Sequence, residues 1–282
     1  MEHGTNRFKQ NLGRRQQIGM FSTLASPVLV ELFAGCGFDW ILLDTEHSPS
    51  EIPDVVAQLQ AMSALPVSPI VRPAWSDMVL VKRVLDAGAQ TLLLPYVQSA
   101  EEAAAAVGYT RYPPRGVRGV SGSSRASRYG LDTGYLARAD TEVCVLVQIE
   151  TREALRELER IAAVDGVDGV FIGPSDLAAS LGHLGDAQHP EVQAAIDDAF
   201  RRLRAVGKPA GYLTTNEAEA ERRIAEGVDF VGVGLDAVIV ARAAASLTRR
   251  MRQVVEQGAA ERGAPDRGAA GHEAPGRGAA RG

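Results

Sequence analysis

Eight short apolar runs recur along this chain, and they constrain its fold more than any other feature. Each run is short enough to be a buried β-strand, and longer segments with helical periodicity separate them. Eight strands that alternate with helices predict a (β/α)8 barrel, a TIM barrel, with a doubly wound open sheet as the alternative fold. The predicted strands cover residues 17–22, 38–44, 68–72, 91–97, 143–149, 169–172, 209–213 and 230–233.

The helical segments between the runs stop at glycines, of which Gly88, Gly166 and Gly207 are examples. The stretch 111–141 breaks this rhythm, because it is rich in Gly, Ser, Arg and Pro and too long for an ordinary connection. We expect such a loop to be functional or disordered. The sequence therefore predicts one catalytic domain over residues 1–257 and a disordered tail rich in Ala, Gly, Arg and Pro over 258–282.

The formal net charge of −5 argues against a nucleic-acid partner, since no basic stripe stands out from the mixed charges. No apolar stretch approaches the roughly 20 residues of a membrane span. The polar first residues show no signal-peptide core, so we expect a cytoplasmic protein without a membrane partner. Cys36 and Cys144 lie far apart with no partner at zinc-ligand spacing, which predicts two buried thiols.

Two carboxylates that follow predicted strands are the strongest indication of chemistry. Glu150 follows the fifth strand, and Asp176 follows the sixth after a Gly-Pro-Ser turn. Carboxylates delivered from two buried strands into one cleft repel each other and lose solvation, and a cation between them offsets both costs. Oxygen ligands of this kind suit Mg²⁺, Mn²⁺ or Co²⁺. Asp176 alone also fits a structural role, as the N-cap of a following helix.

Further polar residues close the predicted strands, where the catalytic mouth of a barrel lies. Asp44, Glu46 and His47 follow the second strand, Arg72 ends the third, and Gln148 lies near the end of the fifth. A fixed guanidinium at Arg72 can stabilise a developing oxyanion, and a structural ion pair is its alternative role. His47 suits proton transfer near neutral pH, with metal ligation or a structural role as alternatives.

Other charged residues give weaker signals. Asp86 falls at a predicted helix end, where its charge opposes the helix dipole and therefore calls for a partner, with His47 as the candidate. His183 and His189 fall in a polar loop, and we expect both to be solvated. No lysine lies on a predicted strand, which favours a metal-dependent enolate mechanism over an imine mechanism.

These residues lie in ordered motifs that resemble those of the HpcH/HpaI aldolase family, the metal-dependent class II pyruvate aldolases. The resemblance runs from about residue 19 to residue 244. It implies a (β/α)8 barrel that assembles as a homo-oligomer, a hexamer built as a trimer of dimers, with active sites completed across subunit contacts. The motifs are GFDWILLDTEH (37–47), VRP (71–73), LDAGAQ (85–90), RYPPRGVRG (111–119), QIET (148–151) and FIGPSDLA (171–178).

The resemblance also implies roles for the residues that bind the ion and the oxo acid. By matching position, Glu150 and Asp176 would bind the divalent metal, and Gln148 would position substrate. The backbone from Pro174 through Ser175 to Asp176 would hold the carboxylate of pyruvate.

A second set of residues would transfer the proton and stabilise the charge of the enolate. Arg72 would stabilise the enolate oxygen, while His47 paired with Asp86 would relay the proton of the aldehyde or alcohol oxygen through water. Asp44 with Arg125 would form an intersubunit contact near the mouth.

The implied activity is reversible cleavage of a 4-hydroxy-2-oxo acid, such as a 2-keto-3-deoxy sugar acid or 4-hydroxy-2-oxo-heptanedioate. The products would be pyruvate and an aldehyde, formed through an enolate that the metal stabilises. An oxaloacetate decarboxylase, a biosynthetic carbon–carbon bond enzyme and a citrate-lyase-β-like lyase of CoA thioesters are the enzymatic alternatives. A non-catalytic binding or assembly protein on the same fold is the other alternative.

Overall fold

Eight parallel strands close into a barrel in this computed structural model, which describes residues 5–263. Strands adjacent in sequence are neighbours in the sheet, and β8 pairs with β1 to complete the ring. This closure confirms the predicted (β/α)8 fold and excludes the open sheet. The strands are β1 Gln17–Ser22, β2 Trp40–Asp44, β3 Ser68–Arg72, β4 Thr91–Leu94, β5 Cys144–Ile149, β6 Gly169–Ile172, β7 Ala210–Leu213 and β8 Phe230–Leu235.

Helices occupy the connections between the strands. The long stretch 111–141 contains a 3₁₀ segment, Arg125–Gly130, and all but the last residue of the helix Tyr135–Glu142, so it is ordered rather than structureless. The helices are α1 Arg7–Asn11, α2 Pro27–Ala34, α3 Ile52–Ala61, α4 Met78–Asp86, α5 Ala100–Thr110, α6 Tyr135–Glu142, α7 Arg152–Arg156, α8 Leu158–Ala162, α9 Pro174–Ser180, α10 Pro190–Ala205, α11 Glu217–Ala225 and α12 Asp236–Gly263.

Helix α10 shows why these connections are helical. Pro190 occupies its first turn, where the missing N–H costs nothing, and Gly207 lies just beyond its end at a φ of +66°. The buried residues recur at spacings of three and four, so one face packs against the barrel. These residues are Val192, Ile196, Ala199, Phe200 and Leu203.

Alternation along the strands decides which side chains enter the barrel. On β2, Trp40 and Leu42 belong to the cluster that fills the interior. The intervening Ile41 and Leu43 belong to the layer between barrel and helices. Asp44 continues the series of Trp40 and Leu42, so the strand delivers its carboxylate to the interior at the mouth.

Strand β5 repeats this pattern. Cys144 and Leu146 pack in the interior cluster, and Gln148 and Glu150 follow at the same two-residue spacing. The polar residues assigned to strand ends are therefore the top layer of the barrel interior.

Aromatic rings fill the lower part of the barrel. Phe8 of α1 closes the amino end, and its ring meets Trp40 and Phe230 edge-on at centroid distances of 6.5 and 5.4 Å. Two glycines make room for these rings. A Cβ at Gly19 would lie 2.1 Å from the Trp40 ring, and one at Gly211 would lie 2.1 Å from the Phe230 ring.

The predicted domain boundary at residue 257 falls within a long helix. The described part of the chain divides into two units, one that ends at Ile239 and one that begins at Val240. Helix α12 continues to Gly263, so residues 258–263 are helical and the predicted tail was wrong there. The rest of that tail, 264–282, lies outside the described residues. Among the described helices, none combines the length and apolarity needed to cross a membrane.

The two cysteines differ in environment. Cys144 is buried inside the barrel, as predicted, whereas Cys36 is exposed after α2, so the prediction for Cys36 was wrong. Burial raises the pKa of the Cys144 thiol well above its usual range, which suppresses the reactive thiolate.

We therefore expect one thiol per chain to react with Ellman's reagent in the native protein and two after denaturation. Cys36→Ser should remove the native reaction and leave one thiol in the denatured chain. A second fast-reacting thiol in the folded Cys36→Ser protein would contradict the burial of Cys144.

Candidate active site

An ion pair joins the ends of β2 and β3 at the mouth. Asp44 and Arg72 are partners in the strand register. Arg72 Nε donates to Asp44 Oδ1 at 2.9 Å, and Nη2 donates to Oδ2 at 2.8 Å. Both side chains are buried. The two parallel hydrogen bonds fix the guanidinium plane, so the structural role considered for Arg72 is present at the mouth itself.

The remaining nitrogen of Arg72 faces other polar groups. Nη1 lies 2.9 Å from Glu46 Oε2, although that oxygen makes no hydrogen bond of good geometry. Nη1 also donates to Gln148 Oε1 at 3.4 Å, which is a long contact. The Nη1 edge is therefore held less firmly than the rest of the guanidinium and can receive a substrate oxygen.

Glu150 is a nearly inaccessible carboxylate, 2% exposed, and both of its oxygens are held. Oε1 accepts the backbone N–H of Tyr96 at 2.9 Å, and Oε2 accepts Gln148 Nε2 at 2.5 Å. Burial, with the nearby charges of Asp176 and Glu46, raises the pKa of Glu150 to about 7 against the opposing effect of these donors. Each oxygen keeps a further lone pair for a cation.

Tyr96 is a site residue that the sequence analysis missed. Its φ of +55° is unusual for a bulky residue, and this conformation accompanies the N–H contact to Glu150. Its ring packs against Trp75 with centroids 5.7 Å apart. Strain of this kind persists where surrounding contacts enforce it, as at functional sites. Only the preceding Pro95 hints at a special backbone here.

Asp176 lies in the first turn of α9. The N-cap of this helix is Gly173, which has no side chain, and Asp176 is the third helical residue. The capping role considered for Asp176 was therefore wrong. Pro174, Ser175 and Asp176 all line the mouth cavity, and the first N–H groups of a helix have no partner within it.

The charges at the mouth favour a hard cation. Asp44, Glu46, Glu150 and Asp176 contribute carboxylates, whereas Arg72 is the one guanidinium among these five residues. Burial comes first among the causes that raise the pKa of Glu46, with partial relief from Arg72 and further increases from Asp44 and Asp176. A divalent ion fits this donor set, because it would offset the excess negative charge with oxygen ligands alone.

The predicted pair of His47 and Asp86 does not form within one chain. His47 follows β2, lines the mouth cavity, and has its Nε2 3.9 Å from Glu46 Oε2. Asp86 ends α4, just before β4 begins, so it lies at the opposite end of the barrel. There its carboxylate accepts Arg118 Nη2 at 3.1 Å.

Arg125 also lies away from the mouth of its own chain. Its Nη1 donates to the carbonyl of Ala87 at 2.8 Å, beside Gly88. This contact puts Arg125 at the same end of the barrel as Asp86, while Asp44 is committed to Arg72. The predicted contact between Asp44 and Arg125 is therefore absent within one chain.

The mouth opens into a cavity of about 700 Å³. Strand-end residues form one side, and residues 185–188 and 213–216 form another, which we call the loop wall.

Glu219 supports this wall, since its carboxylate accepts hydrogen bonds from Gln188 Nε2, Thr214 Oγ1 and Tyr212 OH at 2.7, 2.7 and 2.8 Å. Burial alone would raise the pKa of Glu219, but these donors lower it. Sequence reasoning missed Glu219, because it reads as an ordinary helix charge.

Gly173 is required by close packing at the mouth. A Cβ there would lie 2.7 Å from Glu150 Oε2 and 2.9 Å from Gln148 Nε2. Gly173→Ala should displace this pair and weaken Mn²⁺ affinity about 10-fold to 100-fold, measured by calorimetry. Gly108→Ala, where a Cβ meets nothing within 4 Å, is the matched control and should bind as the parent does. Equal affinity in both variants would contradict this account.

Comparisons with known proteins agree with this geometry. Residues 17–243 match the family model for HpcH/HpaI aldolase/citrate lyase. A pyruvate aldolase of Rhizobium etli is 55% identical over 251 residues, which cover 89% of this chain and 99% of the relative. A 4-hydroxy-2-oxo-heptane-1,7-dioate aldolase of Klebsiella pneumoniae is 54% identical over 247 residues, with 87% and 93% covered. The crystal structure of an HpcH/HpaI aldolase/citrate lyase family protein from Burkholderia cenocepacia J2315 matches with a TM-score of 0.86 at 39% identity, over 88% of this chain and 100% of that one. With its barrel, its mouth and its sequence in agreement, the chain belongs to the HpcH/HpaI aldolase/citrate lyase family.

Proposed function

We propose that this protein is a divalent-metal-dependent aldolase that reversibly cleaves a 4-hydroxy-2-oxo acid to pyruvate and an aldehyde. The observation that carries the proposal is the buried Glu150 carboxylate, which packs against Gly173 at the mouth cavity that Asp176 also lines. The aldolase names of relatives at 54–55% identity support a carbon–carbon lyase of the class II pyruvate aldolase type.

Glu150 and Asp176 hold the ion in this proposal, and Mg²⁺, Mn²⁺ and Co²⁺ all suit their oxygen ligands. Bound there, the ion supplies Lewis-acid stabilisation of the charge that develops on the substrate's 2-oxo oxygen. Gln148 orients the Glu150 carboxylate by donating to it through the side-chain amide nitrogen. The side-chain carbonyl oxygen of Gln148 faces Arg72.

Two further groups bind the pyruvate portion. Arg72, fixed by Asp44, directs Nη1 at the enolate oxygen, where a preorganised donor stabilises charge without reorganisation. The backbone from Pro174 to Asp176 holds the substrate carboxylate, because the N–H groups of Ser175 and Asp176 lie in the first turn of α9.

In the cleavage direction, His47 accepts the proton of the substrate's C4 hydroxyl through a water molecule. As this proton leaves, the C4 oxygen forms the aldehyde carbonyl, the C3–C4 bond breaks, and its electron pair passes to the enolate, which takes up a proton at C3 to give pyruvate. In the reverse direction a proton is returned to the aldehyde oxygen. Because Asp86 and Arg125 lie at the other end of their own barrel, we assign both to the neighbouring subunit. Asp86 would orient His47 there, and Arg125 would approach Asp44.

A homo-oligomer, in the form of a hexamer, is part of the proposal. Helix α12 exposes large apolar side chains that a single chain leaves in water; these include Leu247, Met251, Val254 and Val255. We also propose a cytoplasmic location, which two unpaired cysteines support.

Glu150→Gln should remove a metal ligand and lower metal-dependent turnover on the order of 100-fold or more. The assay is pyruvate release from 4-hydroxy-2-oxo acids and from oxaloacetate, with chelator-treated protein and each metal restored. Glu101→Gln, the same change on the exposed surface of α5, is the control. Unchanged turnover in a folded Glu150→Gln protein contradicts the site, and release from oxaloacetate alone would indicate a decarboxylase.

If each active site is shared between two subunits, two inactive variants should restore activity to each other in a mixed oligomer. His47→Ala and Asp86→Asn should each lose on the order of 100-fold or more in kcat. After co-refolding of equal amounts, about a quarter of the sites would combine His47 of one variant with Asp86 of the other, if chains mix at random. Activity should return to that fraction of the parent. No recovery in oligomers proven to be mixed would sink the assignment of Asp86 to a neighbour.

A further inference from the structure

Two histidines and a glutamate meet on the connection between α9 and α10, outside the residues assigned to the reaction. The rings of His183 and His189 stack with centroids 3.5 Å apart and planes inclined by 15°. His183 Nε2 lies 2.9 Å from Glu191 Oε2. One ligand atom from each residue lies within 4.8 Å of the other two. Both histidines are partly exposed, and the structure adds contacts between them that the sequence did not indicate.

The two rings differ in what their nitrogens contact. His183 Nε2 donates to the Glu191 carboxylate, so an ion bound by His183 would replace the proton of that contact. His189 Nδ1 accepts the backbone N–H of Glu191 at 3.2 Å, so that nitrogen carries no proton, and Nε2 is the atom that can coordinate. Neutral imidazole is the form in which histidine ligates a metal.

We propose that His183, His189 and Glu191 form a second metal site for an imidazole-preferring ion such as Zn²⁺. Two ring nitrogens and one carboxylate oxygen are a common zinc donor set. The ligands proposed at the mouth, Glu150 and Asp176, offer oxygen atoms alone, so the two sites differ in the ions that they select.

Two nearby positive groups limit the affinity of this site. Arg152 Nη2 lies 3.7 Å from Glu191 Oε1, and the amino end of α10 directs its dipole at the cluster. Arg152 contacts Glu191 Oε1, whereas Oε2 faces His183, so an ion between the two residues would bind through Oε2.

An ion at this site would act on the loop wall. Residues 185–188 line the mouth cavity and lie between the two histidines in sequence. Gln188 within them donates to Glu219 at 2.7 Å. Bridging His183 and His189 closes a short loop and removes conformational freedom from the segment between them. The site therefore holds this part of the cavity in place.

The test is a Zn²⁺ titration against a chromophoric chelator, at saturating Mg²⁺, with parent protein and four variants. His183→Asn and His189→Asn each remove one ligand, and Asn keeps the helix-capping acceptor at position 189. Glu150→Gln impairs the mouth site, and His47→Asn removes a histidine outside the cluster. We expect the parent, Glu150→Gln and His47→Asn to bind one Zn²⁺ alike, and the two cluster variants to bind at least about 10-fold more weakly.

Equal Zn²⁺ affinity in the parent and the cluster variants overturns the proposal. So does weakened binding in Glu150→Gln with the cluster variants unaffected, because the ion would then lie at the mouth. Hydrogen exchange tests the effect on the loop wall, and the amides of residues 184–188 should exchange more slowly with Zn²⁺ bound. Bound Zn²⁺ without slower exchange would overturn that effect.

Discussion

The ion pair between Asp44 and Arg72 is the contact on which the mouth depends. It commits two guanidinium nitrogens to β2, so Nη1 faces Gln148 on β5. Gln148 in turn donates to Glu150, whose other oxygen is held by the Tyr96 backbone. The orientation of the buried carboxylate thus traces back to the register of two neighbouring strands. Buried charges in such a chain are costly to disturb singly, because each removal leaves its partner uncompensated.

The barrel could be predicted because its signal is repeated eight times. Each run alternates with a periodic helix, and the two-residue alternation within strands such as β2 places Asp44 inside. The misjudged parts lack such repetition. Cys36 follows α2 with no pattern to indicate its exposure, and the helix through Gly263 continues into a sequence whose composition indicated disorder. Composition describes the average of a segment, whereas a helix end depends on local contacts.

Polar residues at the ends of predicted strands identified most residues of the mouth. They missed a contact made by a backbone group, and they paired residues that lie apart within one chain. The Tyr96 contact uses a backbone N–H, which every residue but proline carries, so identity alone gave no signal. Asp86 matched a family motif, yet within one chain it lies at the opposite end of the barrel from His47 and accepts a hydrogen bond from Arg118. Glu219 has three donors from separate elements, and only the folded barrel brings them together.

The two sides of the cavity, the strand ends and the loop wall, differ in how freely they can change during evolution. Its chemical side is the top layer of a packed barrel, where a substitution disturbs several buried partners at once. The loop wall belongs to connections between barrel elements, and these can be altered without moving the strand-end side chains. Selectivity for the aldehyde can thus drift while bond-breaking chemistry is inherited intact. Relatives that share more than half of this sequence can accordingly bear different substrate names.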